Sequence, residues 1–311
     1  MSMNDRFNII ATLAVLSTVI SLSLGFVPLP TDVSKVPALA YCSTASDVPD
    51  VESKAAFAMD ISTRRVLLAE HEHAQLPLAS LTKLMTVYAA LDSLSLDEFV
   101  IISSDALSAE GDSGLYENER WVLQDLIDFT LISSSNDGAR AIALSANAKI
   151  TSRDTLGPFI ARMNDSTSEL GMGETYFLNE TGLDVSTTTP GALGSAHDIA
   201  MLMSGIYRSS LDAFSGSVRP EMSFNIGTRT HDAENTNGVS HLIPQVLVSK
   251  TGYTDLAGGN LAVLYEPVPG HPVAAVILGS TRENRESDII AMTDAAQREL
   301  RKQLICDSFS Q

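Results

Sequence analysis

The distribution of apolar and polar positions divides the chain into an apolar start, a polar segment and a periodic globular part. Residues 7–27 are almost wholly apolar and uncharged, and about 20 apolar residues is the length that spans a bilayer as a helix. Residues 31–51 are rich in Pro, Ser and Asp, which is typical of a linker. We therefore expect the folded domain to cover residues 52–306, with a short tail at 307–311.

Residues 1–30 are interpreted as a targeting segment, and two alternatives stay open. One is a cleaved secretory signal, with Ser23 and Gly25 as the small residues before the cut. The other is an uncleaved membrane anchor that keeps Arg6 inside, and the length of the apolar run favours it. A core helix is disfavoured because the run has no polar face. Both alternatives predict an exported domain, on the outer face of the membrane, in the periplasm or at the cell surface.

The periodicity of the folded part predicts strands near both of its ends and helices between them. The predicted strands are 55–61, 66–71, 246–253, 260–265 and 273–278. The predicted helices are about 80–94, 123–132, 137–146, 156–170, 196–207 and 287–304. This order indicates an α+β fold with an antiparallel sheet from residues 52–79 and 220–306, flanked by helices, and a helical lobe at about 80–219.

Composition and charge limit the expected partners. Hydrophobic residues make up 44% and charged residues 19%, as in globular proteins. The formal net charge of -18 repels phosphate backbones, so nucleic acid is not expected as a partner. The sequence has no Cys/His cluster, and neither a metal site nor a cofactor is expected. The two cysteines, Cys42 and Cys306, are either free thiols or a disulfide that joins the ends of the chain.

The first candidate motif is Ser80-Leu81-Thr82-Lys83, at the start of a predicted helix. Residues three apart on a helix share one face, so the Lys83 amine can reach the Ser80 hydroxyl. A serine hydroxyl becomes a good nucleophile only when a base removes its proton, and a lysine is such a base when it is neutral. The first turn of a helix and a second nearby cation would both lower the pKa of Lys83. The alternative is an ordinary solvent-facing pair.

The second motif, Ser134-Ser135-Asn136, lies at a predicted break between two helices. Its hydroxyl and amide groups could relay a proton and hold a peptide backbone, although simple helix capping explains the same residues. We predict that Asp137 caps the following helix. The same Ser-x-Asn pattern occurs at residues 223–225, where flanking helices are not predicted.

The third motif is Lys250-Thr251-Gly252, inside a predicted strand. The edge of a strand can pair with an extended peptide, and Gly252 would leave room for that approach. Lys250 would supply the second cation near Lys83. A charged edge strand that prevents aggregation is the alternative interpretation.

The three motifs in this order resemble those of penicillin-binding proteins and β-lactamases. The region 55–304 is most similar to the low-molecular-weight penicillin-binding proteins, the D-alanyl-D-alanine carboxypeptidases and their endopeptidase relatives. Further segments share the resemblance: Pro77–Thr86, Ser135–Ala139, Met163-Asn164, Leu170–Met172, Asn179–Leu183, Asn235–Asn237 and Lys250–Thr254.

The resemblance implies a penicillin-sensitive serine peptidase that acts on peptidoglycan stem peptides and that β-lactams acylate. Ser80 would attack the carbonyl between two D-alanines and form an acyl-enzyme, with Lys83 as its base. Ser134 would pass a proton to the leaving amine, and Asn136 would hold the substrate backbone. Lys250 would keep the local field positive.

The same resemblance implies the remaining site residues. The backbone N–H groups of Ser80 and Tyr253 would form the oxyanion hole. Thr251 and Gly252 would bind the substrate, and Arg285 would pair with its terminal carboxylate. Arg282 could serve in place of Arg285.

Three alternatives to a carboxypeptidase remain. The chain ends soon after the last predicted helix, which also resembles the endopeptidase branch that cuts peptidoglycan crosslinks. A class A β-lactamase would need Glu-x-x-Leu-Asn, whereas Glu174 precedes Leu178-Asn179 with one residue too many. A non-catalytic module that binds penicillin or muropeptides is the third.

Overall fold

The computed structural model describes residues 48–152 and 155–308. Twelve strands occur in this part of the chain. They are β1 (Ala55–Asp60), β2 (Arg65–Glu70), β3 (Leu76–Pro77), β4 (Phe99–Ile101), β5 (Arg120–Val122), β6 (Tyr176–Phe177), β7 (Ala192–Gly194), β8 (Glu221–Ile226), β9 (Arg229–Glu234), β10 (Val246–Thr254), β11 (Gly258–Val268) and β12 (His271–Ser280). The α-helices are α1 (Thr82–Ala90), α2 (Leu123–Ser133), α3 (Asn136–Ile150), α4 (Gly157–Leu170), α5 (Ala196–Ser209), α6 (Leu211–Phe214) and α7 (Arg285–Ser308).

The main sheet has five antiparallel strands in the order β10-β11-β12-β1-β2. The first strand therefore lies beside the last, with Phe57 opposite Val276. Strands β8 and β9 form a separate two-stranded sheet. The predicted α+β fold, with an antiparallel sheet built from both ends of the domain, is confirmed.

Both faces of the main sheet are covered, because side chains alternate between its two sides. Phe57 and Met59 of β1 point into a core shared with α1, α2 and α5. Ala56 and Ala58 point into a second core, which α7 closes with Ile289 and Met292. All six residues of β1 are buried as a result.

One helix start differs from the prediction. Ser135, not Asp137, caps α3: its Oγ accepts a hydrogen bond from the backbone N–H of Gly138 at 2.9 Å. Ser135 keeps a non-helical backbone, which an N-cap residue requires, whereas Asp137 already lies in the first turn. The prediction for Asp137 is therefore wrong.

The described residues belong to one compact unit, Ala45–Gln311, and the other unit, Met1–Thr44, lies outside them. The predicted targeting segment, most of the linker and Cys42 are therefore not described. In the described part, no helix has the length and apolar character needed to cross a membrane. Cys306, near the end of α7, is disulfide-bonded, so the interpretation as a free thiol is wrong for this residue.

Candidate active site

Ser80 lies in a short 3-10 turn, Ala79–Leu81, that leads directly into α1. The turn is held from the sheet: Asn260 of β11 donates a hydrogen bond to the carbonyl of Pro77 at 2.9 Å. Ala79 has a φ of 48°, a left-handed conformation that is unfavourable for a residue with a Cβ. Such strain persists only where the surroundings enforce it, so the fold fixes the position of Ser80 closely.

Lys83 lies one helical turn after Ser80, and its side chain is fully buried. Its Nζ is 2.9 Å from Ser80 Oγ, 2.7 Å from Asn136 Oδ1 and 3.0 Å from the carbonyl oxygen of Thr181. A neutral amine satisfies all three contacts, with two N–H groups for the amide and carbonyl oxygens and a lone pair for the serine hydroxyl.

Burial lowers the pKa of Lys83 from 10.5 to about 7, although the charge of Glu180 opposes that shift. A group with this pKa is neutral in about half of the molecules at pH 7. Lys83 can therefore accept a proton from Ser80 near neutral pH.

Asn136 joins the first two motifs. Its Nδ2 donates to the carbonyl oxygen of Glu110 at 2.6 Å, which leaves Oδ1 facing Lys83. The residue occupies the first position of α3, and the cap that Ser135 provides fixes where this helix begins.

Ser134 and Lys250 form the second hydroxyl–amine pair. Helix α2 ends at Ser133, and Ser134 takes a left-handed conformation with a φ of 61°. Lys250 reaches it from β10, with Nζ 2.9 Å from Ser134 Oγ. Lys250 is 1% exposed, and burial, followed by the charges of Lys83 and Arg285, holds its pKa well below 10.5.

The effect of the two lysines on each other's pKa differs from the prediction made from the sequence. We predicted that Lys250 lowers the pKa of Lys83, but burial causes that shift. The charge of Lys83 instead lowers the pKa of Lys250. The pair still meets at one site, so the site cannot hold both amines charged without repulsion.

The third motif brings the edge of the main sheet against Ser80. A Cβ on Gly252 would lie 2.9 Å from the carbonyl oxygen of Leu78 and 3.2 Å from the backbone nitrogen of Ser80. Only glycine permits this approach without a shift of the strand. Tyr253 follows on the same strand with 42% exposure.

Thr251 belongs to β10, and two arginines contact the same strand. Thr251 Oγ1 is 2.6 Å from Thr236 Oγ1. Arg285 donates to the carbonyl oxygens of Thr236 at 3.3 Å and Gly252 at 3.5 Å, and its buried Nε has no hydrogen-bond partner within the described residues. Arg282 instead lies over the ring of Tyr253, with 5.2 Å from Cζ to the centroid.

Several contributing residues were not assigned a role from the sequence. The carbonyl oxygen of Thr181 accepts a hydrogen bond from Lys83. The charge of Glu180 raises the pKa of Lys83 and so opposes the neutral form of the amine. A Cβ on Gly182 would lie 1.9 Å from the carbonyl oxygen of Ala79, so this glycine lets the segment pack against the serine turn. The resemblance covered this segment, but it gave no physical role for it.

Two other sequence candidates lie elsewhere. Glu174, considered for a β-lactamase, contacts His73 at 3.3 Å and Ser195 at 3.4 Å, outside the contacts of Ser80 and Lys83. Ser223, in the repeated Ser-x-Asn pattern, lies in β8 and donates to Asp232 at 2.6 Å.

Comparisons with known proteins agree on one family. Residues 42–282 match the family model of the D-alanyl-D-alanine carboxypeptidases, peptidase S11. The D-alanyl-D-alanine endopeptidase of Escherichia coli is 29% identical over 77% of this chain and 74% of its own length. The carboxypeptidase DacD of Salmonella typhimurium is 30% identical over 80% of this chain, and the match spans only 64% of that relative.

Solved structures agree with this result. Penicillin-binding protein D2 of Listeria monocytogenes, in an ampicillin-bound form, is 25% identical with a TM-score of 0.66. The match covers 79% of this chain and 98% of that one. The chain therefore belongs to the D-alanyl-D-alanine carboxypeptidase family.

Proposed function

We propose that this chain is a serine-type D-alanyl-D-alanine carboxypeptidase that acts on peptidoglycan stem peptides through an acyl-enzyme on Ser80. One observation carries the proposal. The buried Lys83 amine, with a pKa of about 7, lies 2.9 Å from the Ser80 hydroxyl. A base with a pKa near the working pH is the most effective partner for a serine nucleophile.

In acylation, Ser80 Oγ forms a bond to the carbonyl carbon between the two D-alanines while Lys83 takes the hydroxyl proton. The negative charge that develops on the carbonyl oxygen is held by the N–H groups of Ser80 and Tyr253, each worth about 3 kcal/mol of barrier. Ser134, held by Lys250, relays the proton that Lys83 has taken to the leaving amine, and the carbon–nitrogen bond breaks, so that Lys83 is neutral again. Water then hydrolyses the ester and restores Ser80.

The substrate lies in extended form along the outer edge of β10, which has β11 on its other side. Gly252 leaves the space for this backbone, and Asn136 holds it from the opposite side. Thr251 and Arg285 bind the terminal carboxylate: the guanidinium has only long contacts to neutral carbonyls and forms no ion pair within the described residues. A charged carboxylate is a stronger partner for it.

Beyond Tyr253, the site continues into a cavity of ≈ 440 Å³ that Asp184 and Thr187 also line. We place the part of the stem peptide upstream of its terminal D-alanines in this cavity. A β-lactam would acylate Ser80 in the same way, as a mimic of the terminal dipeptide. Because the substrate is part of the cell wall, the domain would work outside the cytoplasm, with residues 7–27 as membrane anchor or as secretory signal.

An endopeptidase that cuts D-alanyl crosslinks is the second candidate. The observation that supports it is similarity: the Escherichia coli endopeptidase matches this chain about as well as DacD does, with 29% against 30% identity. Both activities use the same acyl-enzyme and differ in the group that leaves.

Labelling tests the nucleophile. The full-length chain is incubated with a fluorescent penicillin, and the labelled peptide is identified by mass spectrometry. We expect a covalent adduct on Ser80 that is lost in Ser80→Ala. Ser223→Ala is the matched control, since Ser223 has the same Ser-x-Asn context as the second motif. An unlabelled wild type that still unfolds cooperatively would refute the proposal, as would full labelling of Ser80→Ala.

Product analysis separates the activities. Incubation with a pentapeptide should release D-alanine, and a crosslinked dimer should split if the endopeptidase activity dominates. Turnover of penicillin without a lasting adduct would instead favour a β-lactamase. Muropeptide binding without any cleavage would favour a non-catalytic module.

A further inference from the structure

A cluster of metal-binding side chains lies outside the Ser80 site. His73 follows β2, Glu174 lies between α4 and β6, and His197 lies in the first turn of α5. One ring nitrogen of each histidine and one carboxylate oxygen of Glu174 all lie within 4.8 Å of one another. His73 Nδ1 is 3.3 Å from Glu174 Oε1, and the centroids of the two imidazole rings are 4.7 Å apart.

A buried carboxylate supports this cluster from behind. Asp198 is fully buried, and its Oδ1 is 3.2 Å from Nδ1 of His197. Its Oδ2 accepts hydrogen bonds from the backbone N–H of Glu174 and from Thr175 Oγ1, both at 2.8 Å. One carboxylate therefore orients two of the three metal-binding residues. Carboxylates that orient a histidine in this way are the usual second layer of a zinc site.

We propose that His73, Glu174 and His197 form a binding site for a divalent transition metal of the Zn²⁺ type, with water completing the coordination. Two imidazoles and a carboxylate suit zinc, whereas Ca²⁺ and Mg²⁺ require oxygen ligands. Tetrahedral zinc with bonds of about 2.0–2.1 Å separates its ligand atoms by roughly 3.3 Å. The distance of 3.3 Å between His73 Nδ1 and Glu174 Oε1 already equals this separation. The side chain of His73 is 57% exposed, so it can move and shorten its distance to His197.

The local charge also suits a cation. The amino terminus of α5 carries a partial positive charge near His197, which opposes metal binding. Glu174 and Asp198 bring two negative charges to the same place, and they outweigh that partial charge.

Bound metal would join three separate segments of the fold. The backbone N–H of His197 already donates to the carbonyl oxygen of Glu72 at 3.0 Å, and Gln75 donates to the carbonyl oxygen of Glu174 at 2.8 Å. The segment that contains His73 leads through β3 to the serine turn. The metal would therefore stabilise the support of the Ser80 turn without contacting the reacting atoms.

Calorimetric titration tests the site directly. The full-length chain, without a histidine tag and freed of metal with chelator, is titrated with Zn²⁺. We expect one equivalent to bind, and His73→Asn or Glu174→Gln to weaken binding at least tenfold. His71→Asn is the matched control: it removes a neighbouring exposed histidine outside the cluster, and its φ of 48° is one that asparagine tolerates.

Two further measurements decide the outcome. Zn²⁺ at about 100 times its Kd should raise the Tm by roughly 5–10 °C, and at the same Zn²⁺ concentration this gain should fall to about half or less in Glu174→Gln. X-ray absorption should show nitrogen and oxygen ligands at about 2.0–2.1 Å, including two imidazoles. Absence of a one-to-one binding event, or an equal loss of binding in His71→Asn, would overturn the proposal.

Discussion

Lys83 shows how a single buried side chain sets the chemistry of the site. Charging an amine that has no contact with solvent costs free energy. The pKa of Lys83 is therefore lowered to about 7. Glu180 moderates the shift, and its own carboxylate is held by Arg140 at 3.4 Å. Burial thus favours the neutral amine that the proposed mechanism needs, and the charge of one nearby carboxylate opposes it.

The first prediction concerns pH. The acylation rate of Ser80 by penicillin should rise about tenfold per pH unit below 7 and level off above it, because Lys83 is a base only when neutral. A lysine with a lowered pKa is neutral above that pKa, so activity grows as the pH rises through it. Stopped-flow measurement of the acylation rate constant from pH 5 to about pH 9 checks this.

A pair of glutamate variants sharpens the test. Glu180→Gln removes the charge that raises the pKa of Lys83, so the midpoint of the profile should move to lower pH. Glu174→Gln, at the glutamate that contacts His73, should leave the midpoint in place. A profile with its midpoint near 10 would contradict the assignment of Lys83. An unchanged midpoint in Glu180→Gln would contradict it as well.

At the scale of elements, the site depends on how closely the edge strand β10 approaches the serine turn. Two glycines make the approach possible. Gly252 faces the backbone of Ser80 and Leu78, and Gly182 faces the backbone of Ala79. Two separate backbone segments therefore pack closely against the turn.

The second prediction is that Gly252→Ala lowers the acylation rate constant by roughly 10- to 100-fold. The added Cβ meets a carbonyl oxygen at 2.9 Å, so the strand must move, and small misplacements carry losses of that size. The matched control is Gly173→Ala, where a Cβ meets nothing within 4 Å. Equal rates for Gly252→Ala and wild type would show that the approach is not needed.

The elements were largely predictable, and their contacts were not. Alternation and turn residues identified the strands of the main sheet, and helical spacing identified the major helices. Local patterns gave the wrong cap for α3, because Ser135 and Asp137 are both good caps and only the backbone decides. The left-handed Ala79 and the carbonyl of Thr181 could not be predicted, because both depend on segments distant in sequence.

At the scale of the whole molecule, the fold is a sheet with a core on each face. The helices on one side carry residues of the site, whereas among the described helices only α7 supplies buried side chains to the second core. The site and the second core should therefore respond differently to substitution.

The third prediction is that Ile289→Ala lowers the free energy of unfolding by about 2–5 kcal/mol, because it leaves a cavity in the second core. The Tm should fall by roughly 5–15 °C for a domain of this size. Penicillin should still acylate the folded fraction at 25 °C. Thermal unfolding followed by circular dichroism, with Ile305→Ala, 45% exposed on the same helix, as control, checks the difference. Similar losses in both variants would argue against the core that α7 closes.

The three motifs were recognisable because each is short and local. Their convergence is a property of the whole chain, since Ser80, Ser134 and Lys250 come from parts separated by 54 and 116 residues. The cluster of His73, Glu174 and His197 was missed for the same reason. No local spacing marks it, and the sequence predicted no metal site.

The order of the main sheet also governs how the protein comes to be folded. Strand β1 pairs with β12, more than 200 residues later, so the ribosome must release nearly the whole domain before the sheet can close. Until then β1 has an unpaired edge on one side, which is prone to aggregation. A chain with such distant pairing folds slowly, and that delay would suit the export proposed above, in which the polypeptide would cross a membrane before it folds.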